Sequence, residues 1–228
     1  KIIFMVGKRV AVMFEQFGWM HIVALLRGAG LTLGICVAST ILGCILGVFL
    51  GMGELSSNKI VRGLCKAYVN LVRGIPLLII LFFIYYAIPI LFRMNVSQAT
   101  ASLSGLSLYA GAYIGEIVRG SIAAIPKGQF EASDSLGLTI VQKYCFVIMP
   151  QAIRNMIPSL VGFIIALIKD SSLVSVIGYI DLTRAGRTVG NLTMQPLITF
   201  LCVGAIYFVI CYSLSLLSSY TERRMKIK

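Results

Sequence analysis

Apolar residues in this chain fall into long blocks, not into the alternation of a strand or the one-sided stripe of a soluble helix. The blocks cover roughly 28–52, 75–91, 102–124, 159–177 and 197–220. A helix needs about 20 mainly apolar residues to cross a hydrocarbon core of about 30 Å. The pattern therefore predicts an all-α integral membrane protein with about five transmembrane helices and short connections. The third block is the least oily, carrying Ser104, Ser107, Glu116, Arg119 and Ser121. Residues 1–27 mix Lys1, Lys8, Arg9, Glu15, His21 and Arg27 with Phe14, Phe17, Trp19 and Met20, a pattern suited to an amphipathic or interfacial segment. The division is thus 1–27 for that segment and 28–228 for a transmembrane domain.

Finer features sit inside the blocks. Gly43, Gly47 and Gly51 recur every fourth residue, as do Gly30 with Gly34 and Gly111 with Gly115. Small residues at this spacing share a helix face and admit a neighbouring backbone. Pro76 stands at the start of the second block, where proline is tolerated, and Pro89 is expected to end it. Pro150 and Pro158 are expected to break or bend the entry to the fourth. The stretches 54–73 and 180–196 read as polar connections, the first inner and the second outer.

With 58% hydrophobic and 12% charged residues, the chain lies far from soluble proteins, in which about a quarter of residues are charged. That changes the meaning of the net charge of +12. Lys and Arg here mark inner loops and headgroup contacts, not nucleic acid. With the carboxyl terminus inside, twelve of the 20 basic residues fall in inner segments and seven outside, with Lys169 inside a span. Cys36, Cys44, Cys65, Cys145, Cys202 and Cys211 form no CxxC pair and read as small packing residues. His21 is the only histidine, which excludes a histidine-rich metal site, and no metal ligands are assigned. Catalytic equipment is sparse, and no Gly-x-x-x-x-Gly-Lys-Ser/Thr phosphate loop occurs, so the chain is not expected to be an enzyme.

Two sets of polar residues remain. The stretch 126–150 is amphipathic between oily blocks. Pro126 and Gly128 open it, Gly137 sits where a helix would stop, and the helix is expected over about 127–138. It reads either as a docking element for a water-soluble partner or as an ordinary surface helix. The second set lies within or beside spans: Lys169, Asp170, Ser171 and Ser172 first, then Arg73, Glu116 and Arg119, with Tyr85. Intramembrane ionisable groups suggest a solute path. Lys169 with Asp170, and Glu116 with Arg119 three residues on, are equally readable as structural ion pairs, and Tyr85 as part of an interfacial belt.

Glu131-Ala132-Ser133, then Gly137, then Val147-Ile148-Met149-Pro150 resembles the EAA loop of bacterial ATP-binding-cassette importer permeases. That pattern reads Glu-Ala-Ala, three residues, Gly, nine residues, Ile, one residue, Leu-Pro. The spacing matches throughout, with Ser133, Val147 and Met149 as mild departures. Val72 to Leu78, Tyr113 to Gly120, Pro126 to Ala132 and Ala166 to Gly178 are similar to segments of the polar amino-acid uptake branch, so the resemblance runs from about residue 25 to the end. It implies a MetI-like type I importer permease fold in the bacterial inner membrane, with a cytoplasmic coupling helix. It further implies two ATPase subunits that hold ATP and Mg, a second permease subunit, a substrate-binding protein and an amino-acid substrate. On the same ground Phe130, Glu131, Ala132, Ser133 and Gly137 belong to the ATPase-coupling surface. A channel or an ion-gradient-driven secondary transporter subunit is the alternative, because intramembrane charges and broken helices suit those as well.

Overall fold

A computed structural model describes residues 17–226, all helix and connection with no strand among them. Helix α1 is Trp19–Glu54, α2 Lys59–Gly74, α3 Leu77–Phe82, α4 Ile88–Phe92, α5 Gln98–Ala123 and α6 Lys127–Ser135. Then follow α7 Ile140–Gln142, α8 Met149–Asp170, α9 Leu182–Thr193 and α10 Pro196–Lys226. A π-helical segment, Phe83–Ala87, joins α3 to α4, and a second, Lys143–Ile148, joins α7 to α8. A 3₁₀ turn, Ser171–Ser175, follows α8.

Three helical stretches are long and apolar enough to cross a membrane: Trp19–Glu54, Ile140–Ser175 and Pro196–Tyr220. Lys59–Gly74 with Leu77–Phe92, bent by 104°, brings the number among the described residues to four if the bent pair is one span. The expectation of about five spans also counted α5. Its 26 residues reach about 39 Å, which is ample; it falls short in oiliness, not length. Half of its residues are buried, including Ser102, Ser107 and Ser121. A helix surrounded by other helices need not match lipid, and that explains the weak apolar signal of the third block.

The contact between α1 and α5 is the most extensive in the bundle. A methyl group on Gly43 would lie 2.5 Å from the Ala110 Cβ, on Gly47 2.8 Å from Ile114, and on Gly51 2.6 Å from the Gly115 carbonyl oxygen. Leu46 and Leu50 of α1 in turn fill the space beside Gly111 and Gly115. These glycines therefore act as the packing face that their spacing suggests. Gly30 and Gly34 share the spacing but face open space.

Several connections differ from expectation. Residues 19–27 are part of α1, whose first turn is closed by His21 Nδ1 accepting from the Gly18 amide at 3.0 Å. Residues 1–16 lie outside the described residues. The stretch 54–73 is mostly helix α2, capped by the Asn58 side chain accepting from the Ile60 amide at 2.9 Å. The stretch 180–196 is mostly helix α9, capped by Asp181 accepting from the Arg184 amide at 2.8 Å. Asp181 is fully buried, which pushes its carboxyl above the usual carboxylate range. Leu182, Ala185 and Val189 close a second small core with Leu25, Ile198 and Val203.

Pro89 does not end the second span; the helix continues to Phe92 and stops where Arg93 turns left-handed at φ 50°. Nor is α8 broken at Pro158, which lies inside it. Pro89 and Pro150 each follow a π-helical segment by one residue. Proline lacks the N–H and crowds the carbonyl four residues back. A wider turn, in which the Ile88 amide reaches the Phe83 carbonyl and the Met149 amide reaches that of Tyr144, lets the helix pass the proline. All six cysteines are free, with Cys36 and Cys211 buried as packing residues.

Helix α6 ends in a Schellman motif: the Leu138 amide donates to Ser133 O at 3.2 Å and the Gly137 amide to Asp134 O at 3.0 Å, with Gly137 at φ 70°. Two substitution series test these glycine roles. Gly47→Val should destabilise the purified chain by about 1–3 kcal/mol through overpacking, whereas Gly34→Val should leave its detergent melting temperature near wild type. No atom lies within 4 Å of a Cβ at Gly137, so backbone strain alone sets the cost there. Gly137→Val should cost about 1–2 kcal/mol and Gly137→Asn clearly less in the same melting assay.

Candidate functional site

Helix α6 is short and polar, and it is held from several directions. Ser133 is 2% exposed and turns its hydroxyl back to the Gln129 carbonyl at 2.6 Å. Phe130 is half-buried against the core and meets Tyr144 edge-on, ring centroids 6.5 Å apart. Asp134 pairs with Lys143 of the second π segment. The Gln151 side chain of α8 donates to Gln129 at 3.1 Å and to the Val147 carbonyl at 2.8 Å. Of the five residues assigned to coupling, Phe130 and Ser133 therefore face the bundle, while Glu131, Ala132 and Gly137 are exposed. Leu136, Ile140 and Val141, 77%, 72% and 71% exposed, extend this outward face with apolar surface. Sequence reasoning passed over Ile140 and Val141, an apolar pair directly after a polar cap residue.

A polar and aromatic stripe runs along α5. The Tyr109 hydroxyl donates to Asp170 Oδ2 at 3.4 Å. The Tyr109 and Tyr113 rings lie 4.6 Å apart, and Phe163 stacks on Tyr113 at 5.4 Å. The Arg73 guanidinium stands 5.4 Å over the Tyr113 ring and reaches Glu116 Oε2 at 3.3 Å. Glu116 also takes Arg119, and Arg119 Nε approaches Glu54 Oε2 at 3.7 Å. Asp170, Arg73, Glu116 and Arg119, far apart in sequence, thus lie along one line. Tyr109 and Tyr113 are the joints that sequence reasoning missed. Their spacing to Glu116, four residues and then three, already puts all three on one helix face.

The remaining candidates go elsewhere. Lys169 is the neighbour of Asp170 in sequence but forms no ion pair with it within 4.0 Å. It lines a cavity of about 410 Å³ between α8 and α10, with Tyr207, Cys211 and Tyr212. Ser171 is fully buried and its hydroxyl donates to the Ile168 carbonyl at 2.7 Å. Ser172 is half-buried in the 3₁₀ turn. Tyr85 sits in the first π segment, its ring edge-on to Tyr86 at 4.8 Å and packed on the core. Asp170, by contrast, lies on the α5 stripe with a phenol as its hydrogen-bond partner and no salt bridge among the described residues.

Comparison with known proteins covers nearly the whole chain. Residues 43–227 match the family described as binding-protein-dependent transport system inner membrane component. The chain is 35% identical over 202 residues to the arginine transport system permease protein ArtQ of Bacillus subtilis (strain 168), covering 89% of this chain and 92% of that protein. It is 36% identical over 220 residues to the glutamate/aspartate import permease protein GltK of Escherichia coli O6:H1, covering 92% and 98% respectively. Among solved structures, an amino acid ABC transporter crystallised with histidines aligns at a TM-score of 0.83 and 36% identity, over 88% of this chain and 94% of that one. The MetNI methionine ABC transporter in an inward-facing conformation shares the fold at a TM-score of 0.79 and 21% identity, over 91% and 99%. With a family match over most of its length and relatives above 30% identity at nearly full coverage, the chain belongs to the inner membrane components of binding-protein-dependent transport systems, with the MetI-like type I importer permease fold.

Proposed function

We propose that this chain is the permease subunit of an ATP-driven importer of polar amino acids. A separate binding protein delivers the solute, and a second permease subunit, identical or homologous, completes the path. Two ATPase subunits hold ATP and Mg and dock at α6, which faces the cytoplasm along with the carboxyl terminus. The chain itself performs no ATP chemistry.

The observation that carries this reading is the mechanical continuity from α6 to Asp170. The Asp134–Lys143 pair and the Gln129–Gln151 bond tie α6 to the second π segment and α8, and Asp170 is the last residue of α8. A push on the exposed face of α6 is therefore transmitted along one helix to a carboxylate on the polar stripe. Such a push changes the solute path only if the partner binds two end-states unequally, which ATP binding and hydrolysis in a separate subunit supplies.

An amino acid entering a low-dielectric path brings an ammonium and a carboxylate, and each needs a counterpart. Asp170 is suited to the ammonium because its own partner is the neutral phenol of Tyr109. Arg73 and Arg119 are already shared with Glu116 and Glu54, so a solute carboxylate would have to compete for them. A channel or ion-driven transporter needs neither an exposed coupling helix nor a motor.

Two measurements test the reading. Vanadate-sensitive uptake and co-purification of an ATPase subunit are expected; uptake driven by an ion gradient alone would replace it with the secondary-transporter reading. In reconstituted complexes Asp170→Asn should lower uptake at least ten-fold, about 1.4 kcal/mol of lost interaction, with assembly unchanged. Wild-type uptake by an assembled Asp170→Asn complex would remove Asp170 from the path.

A further inference from the structure

Helix α2 carries a feature that the transport reading leaves unused. Lys59, Arg62, Lys66, Asn70 and Arg73 recur at intervals of three, four, four and three residues, forming one stripe. That stripe lines an open cavity of about 480 Å³, whose far wall is Glu54, Glu116 and Arg119. Five cations against two carboxylates leave three positive charges over. The carboxylates are already engaged: Glu116 holds Arg73 and Arg119, and Glu54 lies against Arg119. Among the described residues, Lys59, Arg62 and Lys66 have no salt bridge within 4.0 Å.

The rest of α2 says what such a cavity meets. Val69 and Val72 are buried and, with the Tyr68 hydroxyl donating to the Leu108 carbonyl at 3.1 Å, fix the helix to α5. A third face carries Ile60, Leu64 and Leu71, 73%, 68% and 63% exposed, at intervals of four and seven. The chain bends by 104° between this helix and the apolar segment that follows, so α2 runs across that segment and not in line with it. An amphipathic helix in that attitude, with cations beside exposed aliphatic side chains, has the chemistry of the headgroup boundary of a bilayer.

We propose that the cavity of Lys59, Arg62 and Lys66 binds the phosphate of an anionic phospholipid headgroup, with the acyl chains running over Ile60, Leu64 and Leu71. The cavity stands at the end of the bundle that bears α6, since Arg119 is four residues from the end of α5. The assignment to the inner leaflet alone rests on the orientation proposed above. A lipid held here braces α2 against the Arg73–Glu116–Arg119 cluster from the membrane side.

The test is the phosphatidylglycerol retained by the full-length chain after extraction from vesicles of phosphatidylglycerol and phosphatidylcholine. Each cation near a membrane surface is worth a factor of about five in binding, so Lys59→Gln/Arg62→Gln/Lys66→Gln should weaken retention roughly a hundred-fold. Lys59→Arg/Lys66→Arg, which keeps the charge, should retain wild-type amounts, as should Arg93→Gln/Arg187→Gln outside the cavity. Wild-type retention by the triple variant overturns the proposal. So does binding of radiolabelled orthophosphate at the same residues without retained lipid, which assigns the site to a solution anion. Retained lipid with loss of a co-purified ATPase subunit from the triple variant overturns it too, because the cavity is then a protein-docking face. Retention is read without transport, so failed uptake leaves the lipid site standing, and failed retention leaves the importer reading standing.

Discussion

Between helices in a bilayer there is no hydrophobic force to exploit, since lipid tails are as apolar as leucine; association rests on close contact and on polar groups satisfied between helices. The approach of α1 to α5 meets that condition. Gly43, Gly47 and Gly51 bring the α1 backbone against Ala110, Ile114, Gly115 and Val118, and Leu46 and Leu50 fill the returning spaces. Because α1 covers one side of α5 so closely, the opposite side of α5 is free to carry tyrosine, glutamate and arginine. A looser pairing would have required that side to be apolar as well. The polar stripe thus depends on the glycines of a different helix.

Charge in this fold is arranged around that stripe. Glu116 is shared by two arginines, one of them also leaning on Tyr113, and Glu54 is drawn in by Arg119. Such a cluster ties together the junction of α1, α2 and α5, while Glu54 Oε1 is buried there with no hydrogen-bond partner among the described residues. Two exceptions stand out. Asp170 hydrogen-bonds to a phenol and forms no salt bridge, and Lys59, Arg62 and Lys66 form none either, among the described residues. In the readings proposed above, the first faces the solute path and the second the lipid headgroups, so that charges of opposite sign meet counterions from outside the chain at two separate surfaces.

Much of this was legible in the chain's pattern, for identifiable reasons. Four strong apolar blocks gave real helical stretches because lipid contact demands oil along the whole length. The fifth, α5, was blurred because its environment is protein. The glycine spacing identified the α1–α5 face but was blind to direction, so Gly30 and Gly34 scored like Gly43 and Gly47 although nothing approaches them. Proline misled in a regular way: Pro89 and Pro150 were expected to end or break helices, whereas a π turn ahead of each absorbs the missing N–H. Polar connections were mistaken for loops at α2 and α9 because short buried or interfacial helices carry too few apolar residues to stand out. The α6 motif was readable to the residue at Gly137, whose left-handed backbone explains why that place takes glycine. That Ser133 and not Ala132 shares the inward side with Phe130 was not, since a helix of nine residues, two and a half turns, offers too little periodicity to settle its phase.

The second proline–π junction also bears on how motion reaches the stripe. A rigid α-helical entry to α8 would fix α6 and α8 as one body and pass any displacement straight to Asp170. A π segment is a single widened turn inside a helix, of the kind frequent at functional sites. Helix α6 is fastened on both sides of that segment's end: to Lys143 and Tyr144 within it, through Asp134 and Phe130, and to Gln151 of α8, through Gln129. The fastening therefore straddles the π turn, one part on the segment itself and the other on α8, which begins at Met149. In the coupling proposed above, a displacement of α6 reaches α8 both through the π turn and directly at Gln151, at the helix end opposite Asp170.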